Sequence, residues 1–193
     1  MRRYVIALAF LSALILSGCG DDGAVSQMTI DKEGAVKSYI VEEFATSYYN
    51  AEELQTSVNE DINYFNEKYE GTVIELTEFA FEEGVVKATI EYQNADLYEE
   101  FNEETLFVGT IEEALTQKYD VDATFYDVKN LESEVNFADI KDENYHIMIF
   151  TEPVNIKVPH KVLYVSDGLQ KGNSSKKVSV TDNTQEIYYI IYE

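Results

Sequence analysis

The residue whose position most constrains its chemistry is Cys19, the only cysteine in a chain of 193 residues. It follows two small residues, Ser17 and Gly18, at the end of an apolar run that begins after Arg2 and Arg3. A charged start, a short apolar stretch and a small-residue cleavage site indicate a secretory signal, because a membrane-spanning helix needs roughly 20 apolar residues. The pattern therefore predicts a signal that is cut immediately before Cys19.

The last four residues of this pattern, Leu16-Ser17-Gly18-Cys19, match a lipobox, so the N-terminus resembles that of bacterial lipoproteins. The resemblance implies a diacylglycerol on the Cys19 thiol, further acylation with a chain such as palmitate, and cleavage between Gly18 and Cys19. Two or more acyl chains hold a protein firmly on a membrane, whereas one chain binds only marginally. We expect a signal peptide at 1–18, a lipidated Cys19 with a short tether at 19–26, and one domain at 27–193 on the extracytoplasmic side of the cell membrane.

Residues that could bind metal ions form no recognised ligand pattern. The two histidines, His146 and His160, fit no zinc spacing. No complete EF-hand loop occurs either. Asp120, Asp122 and Asp127 could converge in one loop, which leaves bound calcium open, although solvated carboxylates are the simpler interpretation. The sequence predicts no metal site and no cofactor.

Patterns for nucleophilic and phosphate chemistry are also missing from the sequence. There is no Gly-x-Ser-x-Gly elbow and no glycine-rich phosphate loop. Once Cys19 carries lipid, no thiol remains for a disulfide or a nucleophile. Carboxylate pairs of the glycosidase type stay open, because 37 acidic residues allow many pairs. We therefore predict a protein that is not an enzyme, with a hydrolase of envelope polymers as an alternative.

The chain is strongly acidic, with 14 basic and 37 acidic residues and a formal charge of −23. Loss of the signal would leave −25 on the mature chain. Such a surface repels phosphate, which argues against nucleic acid as a partner and against adsorption of the domain to anionic lipid. The charge is uneven, since residues 20–149 hold 32 acids and 7 bases while residues 150–193 hold 5 of each. The acidic part indicates either a cationic partner or simple solubility.

The hydrophobic and capping patterns predict three helices. The longest begins after Asn50, with a capping-box residue at Glu53 and an apolar stripe that continues to Tyr69. Gly71 is expected to end it. Two short helices follow, one at 95–101 capped by Asn94 and one after Thr110, where Glu113 completes a capping box.

Most of the remaining chain is predicted to be strand, because β-branched and aromatic residues alternate between turn signals. Strands are expected at 27–31, 35–41, 73–81, 85–93, 105–108, 123–128, 145–150, 154–158, 161–165, 177–180 and 187–192. Residues 130–143 give no clear prediction. The expected fold is α+β: mostly antiparallel sheet, one long and two short helices toward the N-terminal half, and a β-rich C-terminal half.

The chain contains 15 tyrosines, which are enriched at half-wet recognition surfaces. Two groups are candidates for such a patch: Tyr48, Tyr49 and Tyr64, and Tyr188, Tyr189 and Tyr192 in the last strand. Strands favour aromatic residues in any case. Apolar residues occupy both faces of the last strand, so we expect that strand to be covered on both sides rather than open for docking.

Four stretches besides the lipobox carry a wider resemblance: Tyr48-Tyr49 leading into Glu53-Leu54, and residues 101–110, 161–168 and 189–192. In these the chain resembles a broad, uncharacterised group of lipoproteins from Gram-positive, clostridial-type bacteria. The resemblance implies an anchored extracytoplasmic domain and identifies no site residue except Cys19. We therefore expect a non-enzymatic binding or envelope-structural module whose partner is a protein, peptide or cation, with capture of a small solute or cation as an alternative.

Overall fold

The computed structural model of the chain describes residues 25–43, 50–141 and 144–193. The expected signal peptide, Cys19, Tyr48 and Tyr49 lie outside the described residues. In chain order the elements are β1 (Gln27–Ile30), β2 (Val36–Glu43), α1 (Ala51–Asn66), β3 (Ile74–Glu82), β4 (Val85–Tyr92), α2 (Ala95–Asn102), β5 (Leu106–Thr110), α3 (Ile111–Thr116), β6 (Phe125–Asp127), β7 (Asn130–Val135), α4 (Phe137–Ile140), β8 (His146–Phe150), β9 (Asn155–Lys157), β10 (Val162–Ser166), β11 (Leu169–Lys171), β12 (Lys177–Val180) and β13 (Tyr188–Tyr192). The predicted α+β class is confirmed.

The strands form two sheets. Sheet A has seven strands in the order β11-β12-β9-β1-β2-β4-β3, and sheet B has six in the order β5-β8-β13-β10-β6-β7. Every neighbouring pair is antiparallel except β1 and β9, which run parallel. The prediction of mostly antiparallel sheet is therefore confirmed.

The main core lies between the two sheets. Met28 and Ile30 of β1 meet Phe150, Tyr188 and Ile190 of sheet B, and all five side chains are almost fully buried. Helices α1 and α2 add apolar side chains to the same core. Each large apolar side chain that leaves water stabilises the fold by about 1.5–3 kcal/mol, so this layer is the principal source of stability.

A second core covers the opposite face of sheet B. Phe125, Ile149 and Ile191 pack there against Ile111 of α3 and Ile140 of α4. Sheet B is thus buried on both faces, as we predicted for its central strand β13, in which all five residues are buried. Among the described residues, neither core covers the outer face of sheet A, where Lys37, Glu91 and Lys157 are exposed.

The three predicted N-cap residues, Asn50, Asn94 and Thr110, cap their helices, although Glu53 does not complete a capping box with Asn50. The Asn50 side chain accepts a hydrogen bond from the backbone N–H of Glu52, and the Asn94 side chain accepts one from Leu97. Thr110 and Glu113 form the predicted capping box of α3. Each such cap contributes about 1 kcal/mol by satisfying backbone N–H groups at the helix start. Among the described residues, no helix has both the length and the apolar character needed to cross a bilayer.

Three local expectations were wrong or incomplete. Helix α1 ends at Asn66 rather than near Tyr69, because the N–H groups of Lys68 and Tyr69 bond to carbonyls three residues back and tighten the chain into turns. The undecided stretch 130–143 contains strand β7 and the single-turn helix α4. The three-residue strand β11 was not predicted. These elements are too short or too exposed to leave a hydrophobic period in the sequence.

Candidate functional site

A wide groove lies at one end of sheet B, with a volume of about 1140 Å³. Four segments form its walls: residues 121–124 before β6, residues 134–141 around α4, Ser166 and Asp167 at the end of β10, and residues 184–187 before β13. The groove opens on the helix side of sheet B. We call it the acidic groove, for the charges described below.

Aromatic rings fix the floor of the acidic groove. Phe137 of α4 stacks on Phe125, with ring centroids 5.7 Å apart, and Phe125 meets Tyr189 edge to face at 6.0 Å. The Tyr189 hydroxyl donates to the carbonyl of Asp120 at 3.0 Å, and its backbone N–H donates to Ser166 Oγ at 3.0 Å. The floor is therefore preorganised by packing and hydrogen bonds.

The wall at 184–187 is held by Asp182. One carboxylate oxygen of Asp182 accepts from the backbone N–H of Thr184 at 2.9 Å and from its hydroxyl at 2.7 Å, and these bonds lower the pKa of that carboxyl. The Tyr188 hydroxyl donates to the Asp182 carbonyl at 2.8 Å. Gly168 packs against the backbone of Asp182 and has a φ of +77°. A Cβ atom at Gly168 would lie 2.9 Å from the Asp182 carbonyl oxygen. Only glycine fits this close approach without strain.

The described lining of the acidic groove is strongly one-signed. It contains five carboxylates, Asp122, Glu134, Asp139, Asp167 and Glu186, and one ammonium group, that of Lys141. Their field reaches the neighbouring phenols. The hydrogen bond with Asp167 raises the pKa of Tyr126, and burial together with the charges of Asp120 and Asp122 raises the pKa of Tyr189. Such a surface attracts cations and repels anions.

A second polar cluster lies where the chain passes from sheet B to sheet A. Glu152 follows β8, is largely buried, and accepts a short hydrogen bond from the Tyr98 hydroxyl of α2. The Tyr98 ring packs edge to face on Tyr92, with centroids 5.0 Å apart, and Asn102 donates to the Tyr92 hydroxyl at 3.2 Å. We call Tyr92, Tyr98 and Glu152 the junction cluster.

Two further carboxylates, Glu104 and Glu42, act on the junction cluster. Burial raises the pKa of Glu152, the Tyr98 hydrogen bond opposes this, and the charges of Glu104 and Glu42 add to the rise. Burial also raises the pKa of Tyr98 and of Tyr92. A carboxyl with a raised pKa is the kind of group that general acid catalysis uses. The hydrogen bond from the Tyr98 hydroxyl to Glu152 ties the segment after β8 to α2.

The metal-binding alternatives from the sequence are not assembled. Within the described residues, no group of three or more His, Cys, Asp and Glu side chains is placed to hold a metal ion. Asp127 accepts the backbone N–H of Lys129 in a turn, and the Asp120 carbonyl accepts the Tyr189 hydroxyl, so neither is arranged as a calcium ligand with Asp122. His146 stacks on Tyr192 at 5.4 Å, and its buried Nδ1 has no hydrogen-bond partner among the described residues.

The tyrosines of the last strand do not form a recognition patch, because Tyr188, Tyr189 and Tyr192 are buried between the layers. Tyr64 on α1 is 62% exposed. The acidic groove was missed at the sequence level, since its carboxylates come from four separate segments. The only local signal was the position of Asp122, Asp167 and Glu186 directly beside predicted strands.

Comparisons with known proteins add no constraint. No protein-family model matches the chain, and no significant match is found among curated proteins or solved structures. The lipoprotein resemblance therefore stays a prediction that rests on the residues of the N-terminus.

Proposed function

We propose that this chain is a non-enzymatic, lipid-anchored binding protein on the extracytoplasmic side of the cell membrane, and that its acidic groove binds a basic segment of a protein partner. The observation that carries the proposal is the ring of five carboxylates around an aromatic floor, with one ammonium group among the described lining residues. The lipobox supplies the anchor in this account.

A peptide segment suits the groove better than an isolated ion or a small solute. The carboxylates are spread along the walls and do not converge as metal ligands. The groove is open, and its volume of about 1140 Å³ exceeds the range of roughly 300–1,000 Å³ that is usual for small-molecule clefts. Lysine and arginine have apolar stems and charged heads, so their stems can contact the half-buried Phe137 while their heads reach the carboxylates.

Binding of this kind is expected to depend on salt. The groove carboxylates lie at an open surface, where charges are screened within about 8–10 Å at 0.1–0.15 M salt. Charged walls of this type mainly increase the rate of association and select against acidic partners. We therefore expect fast, salt-sensitive binding with an affinity set mostly by the few side chains that reach the floor.

The proposal is tested by calorimetric titration of the full chain, held in phosphatidylcholine nanodiscs, with pentalysine amide as the probe. The groove variant Asp122→Asn/Glu134→Gln/Asp139→Asn removes three negative charges from the walls. The matched control Glu53→Gln/Glu60→Gln/Asp61→Asn removes the same charge from exposed positions on α1. We expect the groove variant to weaken binding by about tenfold, which corresponds to about 1.4 kcal/mol, and the control by less than about twofold.

Equal losses in both variants would contradict the proposal, because they would show that pentalysine responds to net charge alone. The anchor has its own test. Mass analysis of the membrane fraction should find acyl chains on Cys19, and Cys19→Ser should abolish them. An acylated, mature-sized Cys19→Ser protein would contradict the lipobox assignment.

A further inference from the structure

One part of this acidic chain has the opposite charge. Residues 153–181, which contain β9 to β12, hold five lysines and one acid, Asp167. Two of the lysines are adjacent in the register of sheet A, where Lys157 of β9 pairs with Lys177 of β12. The net charge of −23 for the whole chain does not reveal this short basic part.

Strand alternation directs these two lysines to the outer face of sheet A. Their neighbours Ile156 and Val178 are 1% exposed and belong to the core between the sheets, so Lys157 and Lys177 project from the opposite face. On β11, Gln170 shares that face and is exposed. We call the outward residues of β9, β11 and β12 the lysine face.

The lysine face lies beside the strand that leads to the expected anchor. Gln27, the first residue of β1, pairs with Asn155, which is two residues before Lys157 on the neighbouring strand. Gln27 lies eight positions after Cys19. At about 3.3–3.6 Å per extended residue, these eight steps span at most roughly 29 Å. The anchor therefore keeps Gln27, and with it the neighbouring end of β9, within that distance of the acylated residue.

We propose that the lysine face rests on anionic phospholipid headgroups of the membrane to which the chain is anchored. The inference rests on the lipid anchor of the proposed function. The net negative charge of the chain disfavours binding to anionic lipid, so attachment to the membrane depends on the acyl anchor. The lysines then determine which side of the attached protein faces the bilayer. Lysines at an anionic bilayer surface attract its headgroups, and the two lysines of this face supplement the acyl anchor rather than replace it.

The acidic parts of the chain are compatible with this orientation. Of the five groove carboxylates, Asp167 lies in the turn between β10 and β11, three residues before Gln170, and the other four come from segments outside β9 to β12. Asp167 is the one acid in residues 153–181, so lysines still outnumber acids five to one in this part of the chain. The outward glutamates of β3 and β4 sit at the other end of sheet A, and a twist of roughly 20° per strand turns them away from the plane of β9, β11 and β12.

The orientation is tested with the acylated full chain in vesicles. After lipidation of Cys19, a cysteine introduced by Gln170→Cys is the only free thiol, and Glu112→Cys on α3 provides the matched position on the opposite layer. Each is labelled with a fluorophore in vesicles that contain headgroup-quencher lipid. The vesicles consist either of phosphatidylcholine alone or of phosphatidylcholine with 30% phosphatidylglycerol.

We expect anionic lipid to increase quenching at position 170 at least twofold and to leave position 112 unchanged. Lys157→Gln/Lys177→Gln should abolish the increase, whereas the exposed control pair Lys118→Gln/Lys129→Gln should retain it. Equal quenching at both positions, or quenching at 170 that ignores anionic lipid, would overturn the inference and favour another occupant such as a second protein. A chain without acyl groups on Cys19, seen by mass analysis, would instead refute the anchor itself.

Discussion

The two sheets of this molecule use similar residues for different purposes. Sheet B is buried on both faces, and its central strand β13 exposes none of its five residues. Sheet A is buried on one face only, and its strand β2 alternates between buried Val36 and exposed Lys37. The comparison shows which parts of the fold are fixed by packing and which surfaces remain available for partners.

This difference determines where the charge can lie. The central strands of sheet B have little face left for charged side chains, and four of the five groove carboxylates lie outside its strands, with Glu134 on the exposed edge strand β7. Sheet A can carry charge directly on its outer face, and the lysines of β9 and β12 lie there in cross-strand register. The groove carboxylates thus lie around one end of sheet B, and the paired lysines lie on sheet A.

The largest expected effect tests the burial of sheet B on both faces. Ile190 belongs to the core between the sheets and Ile191 to the helix-side core, and both are fully buried. Alanine at either position should lower the free energy of unfolding by about 2–5 kcal/mol in urea titrations. In sheet A, Val36→Ala should be costly, but Lys37→Ala should change stability by less than about 1 kcal/mol, because its ion pair with Glu91 is exposed. If Ile191→Ala hardly lowers the free energy of unfolding, the helix-side face of sheet B is not a packed core, which would contradict burial on both faces.

A smaller effect tests the junction between the sheets. Tyr98→Phe removes the hydroxyl that donates to Glu152 and leaves a largely buried carboxylate without that partner. We expect a loss of about 1–3 kcal/mol in unfolding free energy at neutral pH. Tyr64→Phe is the matched control, since Tyr64 is 62% exposed on α1 and should tolerate the change. Equal stability of the two variants would show that the junction bond is dispensable.

The third effect is smaller and depends on pH. Burial raises the folded-state pKa of Glu152 above its ordinary value of 4.5, so this group favours folding most below pH 4.5 and loses that contribution as pH rises through its folded pKa. Glu152→Gln keeps an acceptor for Tyr98 and removes the charge beside Glu104 and Glu42. The variant should therefore be more stable than the parent at pH 7, by about 1 kcal/mol, with the difference vanishing below pH 4.5.

The pH profile separates this explanation from a packing effect. Thermal unfolding midpoints of both proteins between pH 4 and pH 8 give the measurement. If the unfolding midpoint of Glu152→Gln exceeds that of the parent by the same amount at every pH, titration of the Glu152 carboxyl is not the cause. If the variant is less stable than the parent at pH 7, the charged carboxylate of Glu152 stabilises the fold, which contradicts the prediction.

The sequence correctly predicts the elements whose capping residues or hydrophobic pattern match the burial that they have in the fold. The capping box at Thr110 and Glu113 forms as predicted, because a cap depends only on residues within one turn. The alternation in β13 correctly indicates cover on both faces. Strand β7 was missed because its residues are nearly all exposed, and α4 because one turn cannot show a helical period.

The sites are less predictable than the elements. Asp122, Asp139, Asp167 and Glu186 become neighbours only after four segments meet at the end of sheet B. Tyr98 and Glu152 are 54 residues apart, so no local spacing relates them. The lysines of β9 and β12 are visible in the sequence as a neutral C-terminal part, but their shared face depends on strand register.

The central claim is that cations bind at the acidic groove rather than over the whole acidic surface. Hydrogen–deuterium exchange of the full chain in phosphatidylcholine nanodiscs, measured by mass spectrometry with and without pentalysine amide, tests this most directly. We expect slower exchange in residues 121–124, 134–141 and 184–187, and no change in α1 or α2, which carry comparable negative charge. Protection spread over α1, α2 and the groove alike would contradict a groove-specific binding function.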